Sequence, residues 1–273
     1  MTDASPVRVA AIQLNATLEI QANVAKVREL CAEARAAGAH WACLPENSLF
    51  MGPEGEAVAH AAPVEESRLL EPLRGIARTE ELVLFVGSVP EVSPEDGRAY
   101  NCSVVLGRAG EILATYRKVH LFDVELPDGT AVRESDGWLA GTEPACVEVD
   151  GWKVGLSICY DLRFPEHYRM LVDLGADVIM VPSAFTLQTG KDHWEPLLRS
   201  RAIENQCYVI AAAQWGEHFP GRTTWGKSMV IDPWGTVLAT APERASSVIA
   251  TLDPAAQERV RARFPSLQHR QLR

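Results

Sequence analysis

Short apolar runs alternate along this chain with longer stretches of helical periodicity, and that alternation restricts the fold more than any other feature. Residues 7–14, 41–44, 82–89, 177–181 and 207–213 read as extended and buried, and residues 23–37, 63–79, 165–174, 193–205 and 255–264 read as helices. Gly38 stands where a helix C-cap belongs, and Pro72 is expected to interrupt or bend the helix at 63–79. Gly107-Arg108-Ala109-Gly110 joins extended runs at 100–106 and 111–116, Asp150-Gly151 joins 145–149 to 153–158, and Pro233-Trp234-Gly235 joins 229–231 to 237–239, each as a hairpin. Such a pattern predicts an α/β protein with mixed sheets. Two sets of these units, each with helices on one face, stack as a four-layer α-β-β-α sandwich, and the Val and Ile runs at 82–86, 178–181 and 208–211 suit its inner sheet faces. No internal repeat and no Ser/Gly-rich linker interrupts the chain, so residues 1–273 are expected to form one domain.

One extended run, residues 153–158, stops at Cys159, and Pro165 opens a helical pattern soon after. A thiol on the tight turn between a buried strand and a helix is exposed at the rim of the sheet, and the helix N-terminus favours its thiolate. A buried core cysteine is the plainer alternative. Two other runs also end on polar groups: residues 41–44 lead through Pro45 to Glu46, and a strand-like run starting at Tyr116 delivers Lys118. Taken singly, Glu46 reads as a solvated loop acid and Lys118 as a surface base. Taken together, a Glu, a Lys and a Cys at the carboxyl ends of strands converge on one rim of an α/β sheet, where such folds hold ligands.

Composition excludes some partners. The net charge of −10 disperses Lys and Arg among acids, which disfavours a nucleic-acid surface. No apolar run reaches the roughly 18 residues needed to span a bilayer, and residues 1–6 lack a basic n-region and an apolar h-region, so a cytoplasmic protein is expected, with no membrane partner. The six cysteines, Cys31, Cys43, Cys102, Cys146, Cys159 and Cys207, show neither a CxxC pair nor tight Cys/His spacing, which weakens metal-site and disulfide readings.

The trio and its flanking words resemble the nitrilase superfamily of carbon–nitrogen hydrolases. The likeness runs from Val9-Ala10-Ala11-Ile12-Gln13-Leu14 to Asp232-Pro233-Trp234-Gly235 and the final helix, with Glu, Lys and Cys in the family's order. It implies the same four-layer fold, a tendency to dimerise, and a general base (Glu46), an oxyanion stabiliser (Lys118) and a nucleophile (Cys159). It also implies that Glu134 is a fourth acidic residue beside the lysine; without the resemblance, Glu134 reads as a surface salt-bridge partner of Arg133 or another base. An unassisted thiol is only a few per cent thiolate at neutral pH, so Glu46 would take its proton and pass it to the departing nitrogen, releasing ammonia from a linear carboxamide. Burial that raises the pKa of Glu46 would suit both transfers. Lys118 and the backbone N–H of Tyr160 would meet the developing oxyanion, and water would cleave the thioester with no metal or organic cofactor.

Specificity rests on fewer signals. Arg163, four residues beyond Cys159, is placed to clamp a substrate carboxylate, such as that of an α-keto acid, unless it pairs with Asp161 or Glu166. The segment 182–190 leaves a strand on the same rim, which places Phe185 to pack on the acyl chain and Thr189 to donate a hydrogen bond, with loop packing as the alternative for both. The words around Lys118, Cys159 and Phe185, with His193-Trp194-Glu195 and residues 201–209, resemble the branch holding deaminated glutathione amidase and omega-amidase, and Ala212-Ala213-Gln214 leans toward the former. Lys227 stands where relatives often carry histidine; at the pocket entrance it would add a cation. Nitrilase or carbamoyl hydrolase activity, a non-catalytic binding module, and a redox-sensing thiol protein with Cys43, Cys146 or Cys207 as resolving partner are the other readings.

Overall fold

Three extended segments, Val7–Gln13 (β1), Trp41–Cys43 (β2) and Val83–Val92 (β3), lie parallel, and two intervening helical stretches close the crossovers. The computed structural model describes residues 4–95, 97–125, 129 and 131–271, so Met1, Thr2 and Asp3 of the amino-terminal stretch lie outside it. Ala99–Leu106 (β4) and Ile112–Arg117 (β5) return antiparallel beyond β3, which points β5 the same way as β2 and β3. On the other side Ser246–Leu252 runs antiparallel along the whole of β1. The second sheet has the same plan: Trp152–Leu156, Val178–Met180 and Tyr208–Ala211 form its parallel centre, flanked by Ala145–Val149 and by the hairpin of Met229–Ile231 with Val237–Thr240.

The alternation of side chains along these strands decides the layers. Val9, Trp41, Val83 and Phe85 from one sheet and Trp152, Val154, Val178, Met180, Tyr208 and Ile210 from the other form the core between the sheets. Ile12, Leu84 and Val86 face outward onto helices Ile20–Ala36 (α1) and Leu70–Glu80 (α3), while Ile179 and Val209 face Pro165–Asp173 (α4) and Leu187–Asn205 (α5). A short helix, Glu54–Val58 (α2), and Pro254–Arg263 (α6) complete the set. The chain is an α-β-β-α sandwich. The runs at 82–86, 178–181 and 208–211 are buried on both faces, every second residue meeting the opposite sheet and the rest meeting helices.

Gly38 closes α1 with φ of 86°; its N–H bonds Arg35 O and the Ala39 N–H bonds Ala34 O, the paired closure that a left-handed residue permits. The helix expected at 63–79 divides before Pro72 rather than at it: Val64–Glu66 is a 3-10 turn, and Pro72 sits in the first turn of α3, where its missing N–H had no intrahelical partner to lose. The helix expected from residue 193 starts at Leu187, because the Thr186 side chain accepts from the Thr189 N–H and caps it there. Hairpin Trp215–Phe219 with Arg222–Trp225 and strand Ser246–Leu252 add to the expected elements.

Candidate active site

Three strand ends face one rim. Beyond β2 the chain turns through Leu44 and Pro45 to Glu46, with Asn47 left-handed at φ 56° and its N–H bonded to Ser88 Oγ at 3.1 Å. The turn lies so close to β3 that a Cβ on Gly87 would fall 1.8 Å from Pro45 O, and only glycine leaves room for it. Lys118 follows β5 directly; its N–H donates to Asn101 O at 2.9 Å and its carbonyl accepts from the Gly141 N–H at 2.7 Å. Cys159 follows Trp152–Leu156 and opens the 3-10 turn Cys159–Arg163 with φ of 48°, its N–H bonded to Pro182 O at 2.9 Å.

The side chains meet. Lys118 Nζ lies 3.2 Å from Glu46 Oε1 and 2.7 and 2.8 Å from the two oxygens of Glu134, and the three residues are 2%, 4% and 8% exposed. Glu46 also accepts from Asn101 Nδ2 at 2.9 Å and from the Ala184 N–H at 3.0 Å, and Glu134 from the Phe122 N–H at 2.6 Å. Glu134 is thus a buried partner of Lys118, not a surface partner of Arg133. Glu46, Lys118, Glu134 and Cys159 line one cavity of ≈ 160 Å³.

Burial works against the charge of Lys118, yet Glu134 and Glu46 outweigh it and hold its pKa above the ordinary lysine range. The thiol behaves otherwise than a helix N-terminus would make it. Burial, and then the charge of Glu46, push the Cys159 pKa well above its usual value, against the pull of Lys118. Cys159 heads the five-residue 3-10 turn that precedes α4, and the raised pKa favours the neutral thiol. That turn is held by Asp161, wholly buried, which accepts from the Ile158 N–H (2.8 Å), Tyr116 Oη (2.7 Å) and both the N–H and Nδ1 of His120 (3.0 and 2.8 Å). Asp161 therefore ties the turn at Cys159 to the segment carrying Lys118.

A family model described as carbon-nitrogen hydrolase matches residues 8–262. The chain belongs to the carbon–nitrogen hydrolase family. It is a hydrolase of amide carbon–nitrogen bonds other than peptide bonds. It is 44% identical over 268 residues to a deaminated glutathione amidase of Synechocystis sp., spanning 97% of this chain and 98% of that one. With the deaminated glutathione amidase of Homo sapiens it shares 40% over 266 residues, 96% of this chain and 81% of the relative. Among solved structures, Saccharomyces cerevisiae Nit3, a member of branch 10 of the nitrilase superfamily, has a TM-score of 0.89 at 29% identity, covering 98% of this chain and 97% of its own. A variant of the Nesterenkonia AN1 amidase, also of that superfamily, has a TM-score of 0.79 at 26% identity, covering 97% of each chain. In another variant of that amidase, acrylamide is joined by Michael addition to the active-site cysteine.

In this carbon–nitrogen hydrolase the cavity wall includes Tyr160, Arg163, Phe185 and Thr189, all four of the substrate residues expected from the sequence. Arg163 pairs with neither Asp161 nor Glu166: it donates to His193 Nδ1 at 3.2 Å, over the rings of Phe185 and Tyr160. Thr189 Oγ1 lies 2.9 Å from Thr186 Oγ1, inside the first turn of α5. Lys227 is not on the wall; it pairs with Glu243 at 3.3 Å. Asn101, Phe219 and Arg222 line the cavity without having been marked in the sequence. All six cysteines are free, and burial pushes the thiols of Cys43 and Cys207 up to about 12. Among the described residues no helix is long and apolar enough to cross a membrane, and no group of three or more His, Cys, Asp or Glu is placed to hold a metal ion.

Proposed function

We propose that the chain hydrolyses the ω-amide of a 2-oxo acid, deaminated glutathione first among them, through a thioester on Cys159. The observation that carries this reading is the buried ammonium of Lys118, fixed between Glu46 and Glu134 on the wall it shares with Cys159. Because the resting thiol is neutral, Glu46 takes its proton as sulfur adds to the carbonyl carbon, and then protonates the nitrogen as the C–N bond breaks. Lys118 and the Tyr160 N–H stabilise the oxyanion, and Glu134 keeps Lys118 aimed at it. Water, deprotonated by Glu46, then attacks the thioester carbonyl, the acid is released, and sulfur recovers the proton. Arg163 takes the α-keto carboxylate, and the rings beside it hold the guanidinium in place.

Release of ammonia holds for a primary amide such as 2-oxoglutaramate. In deaminated glutathione the same nitrogen belongs to a cysteinylglycine dipeptide, which leaves as the amine. Amidases named for that substrate are 40–44% identical to this chain, which supports it over 2-oxoglutaramate, the omega-amidase substrate. The test is steady-state turnover of both compounds, following cysteinylglycine and ammonia, with Cys159→Ala alongside. Parent-rate hydrolysis by Cys159→Ala overturns the mechanism, and the ratio of the two rates settles the substrate. The six free cysteines suit a reducing, cytoplasmic setting. The family resemblance supports one catalytic domain that dimerises; light scattering at one subunit mass would remove the dimer.

A further inference from the structure

Two guanidinium groups line the cavity, and neither meets a carboxylate among the described residues. Arg163 is held by His193 and two aromatic rings, and Arg222 makes no ion pair and no side-chain hydrogen bond with any described residue. Several other arginines of this acidic chain, among them Arg35, Arg74, Arg108, Arg117 and Arg270, sit on Asp or Glu, and those that do not, such as Arg28, Arg68 and Arg263, lie away from the cavity wall. Acids are plentiful, yet these two cations are left for a ligand to meet.

They stand on different walls. Arg163 lies in the same 3-10 turn as Cys159, beside the acyl group that stays on sulfur. Arg222 opens the second strand of hairpin Trp215–Phe219/Arg222–Trp225. Gln214, just before that hairpin, donates to the main-chain oxygens of Glu46 and Asn47 at 2.9 and 3.2 Å. His218 donates from Nδ1 to Ala16 O at 2.7 Å and accepts from Thr224 Oγ1 at Nε2, also at 2.7 Å, and the Trp225 N–H bonds Phe185 O. The hairpin is thereby pinned to the loop carrying Glu46, the group that protonates the departing nitrogen. A leaving amine protonated by Glu46 would therefore stand on the side of the cavity that this hairpin and Arg222 line.

We propose that Arg222 binds a carboxylate on the leaving amine while Arg163 binds the one on the acyl group, so that the site is built for an amide with an acid at each end. This rests on the function proposed above and deepens it. Deaminated glutathione has that form: a 2-oxo acid at one end and the glycine carboxylate of the leaving dipeptide at the other, two residues that span at most about 7 Å. 2-Oxoglutaramate has only the first. Burial lowers the pKa of His218 to about 4, with the charge of Arg222 adding to it against the hydrogen bond to Ala16, so the imidazole stays neutral and its two hydrogen bonds keep one arrangement near pH 7.

The test compares deaminated glutathione with its glycinamide, which has the same leaving dipeptide and a neutral end, and with 2-oxoglutaramate, on the parent enzyme, Arg222→Gln and Arg222→Lys. The parent is expected to lose about 10- to 100-fold in kcat/KM on the glycinamide, mainly through KM. Arg222→Gln should lose as much on the acid and little more on the glycinamide, and Arg222→Lys should recover part of the loss. The ratio of deaminated glutathione to 2-oxoglutaramate should fall by about tenfold or more with Arg222→Gln. A parent enzyme indifferent to the glycine carboxylate, or equal losses on acid and glycinamide in Arg222→Gln, overturns the role of Arg222 and leaves the function standing. A parent that hydrolyses neither 2-oxo acid amide overturns both. Should the variants fold poorly, the parent's acid-to-glycinamide ratio still decides.

Discussion

The deep end of the cavity and its outer wall are assembled on opposite terms. Lys118, Glu46 and Glu134 are nearly sealed from solvent and bonded to one another and to Asn101, Ala184 and Phe122. Arg163 and Arg222 are half-buried, with no acid beside them among the described residues. Bond-making chemistry needs its charges aimed before the substrate arrives, because reorganising them during reaction raises the barrier. Recognition needs charges with an open valence, because a cation already neutralised by its own protein has little left for a ligand. The deep cluster should therefore govern kcat, and the wall KM.

The largest effect sharpens this contrast. Cys159→Ala should lower kcat by on the order of 10⁴-fold or more and abolish labelling of a single cysteine, read by intact mass. Lys118→Ala should lower kcat by about 10²- to 10³-fold and destabilise the fold by about 3–5 kcal/mol in urea unfolding, since Glu46 and Glu134 lose the ammonium that balances them. If Lys118→Ala raises KM and spares kcat, the division between deep cluster and wall is broken.

Asp161→Asn comes next. Burial opposes the charge of Asp161, but His120, His167, Tyr116 and the Ile158 N–H outweigh it and hold the carboxyl below its usual range. A depressed folded pKa contributes stability above the ordinary carboxylate pKa and loses it as pH falls through the folded value. The substitution should thus cost about 2–3 kcal/mol at neutral pH, with the two stability curves converging in acid, and kcat should fall more than KM rises. Equal stability loss at all pH values would separate Asp161 from this network.

A smaller effect concerns the resting thiol. With its pKa raised by burial and Glu46, iodoacetamide should label Cys159 slowly near pH 7 and faster as pH rises past 9, and Glu46→Gln should move that rise to lower pH. The one with the least bearing on turnover belongs to the hairpin that carries Arg222. His218, lowered to about 4 from 6.5, favours the folded state above pH 6.5, and that stability is lost as pH falls toward 4. The loss should amount to about 2–4 kcal/mol in urea unfolding at stepped pH, and His218→Gln should flatten the slope.

The two ends also differed in how plainly the sequence announced them. Glu46 and Cys159 each close an apolar run and Lys118 closes a strand-like one, and the carboxyl ends of such strands share one rim of an α/β sheet. Glu134 could be placed only through the family resemblance, since it follows a strand, Ala131–Arg133, that is exposed or half-buried. Asn101 is a polar residue inside the apolar run of β4, and nothing local says that Glu46 will meet it. Arg222 was hidden further: its hairpin has mixed, half-buried strands and is fixed by long-range bonds from His218 and Gln214 to loops some 170 to 200 residues away. Strand Ser246–Leu252 likewise takes its place from β1, at the opposite end of the chain.

A thiol whose pKa is raised by its surroundings also differs from a thiolate in how it meets oxidants. Peroxide attacks thiolates, and each stage of oxidation beyond sulfenic acid is harder to undo. Half-buried, with its pKa raised and no disulfide partner, Cys159 should be oxidised by peroxide more slowly than a preformed thiolate, which the intact mass of the peroxide-treated chain would read.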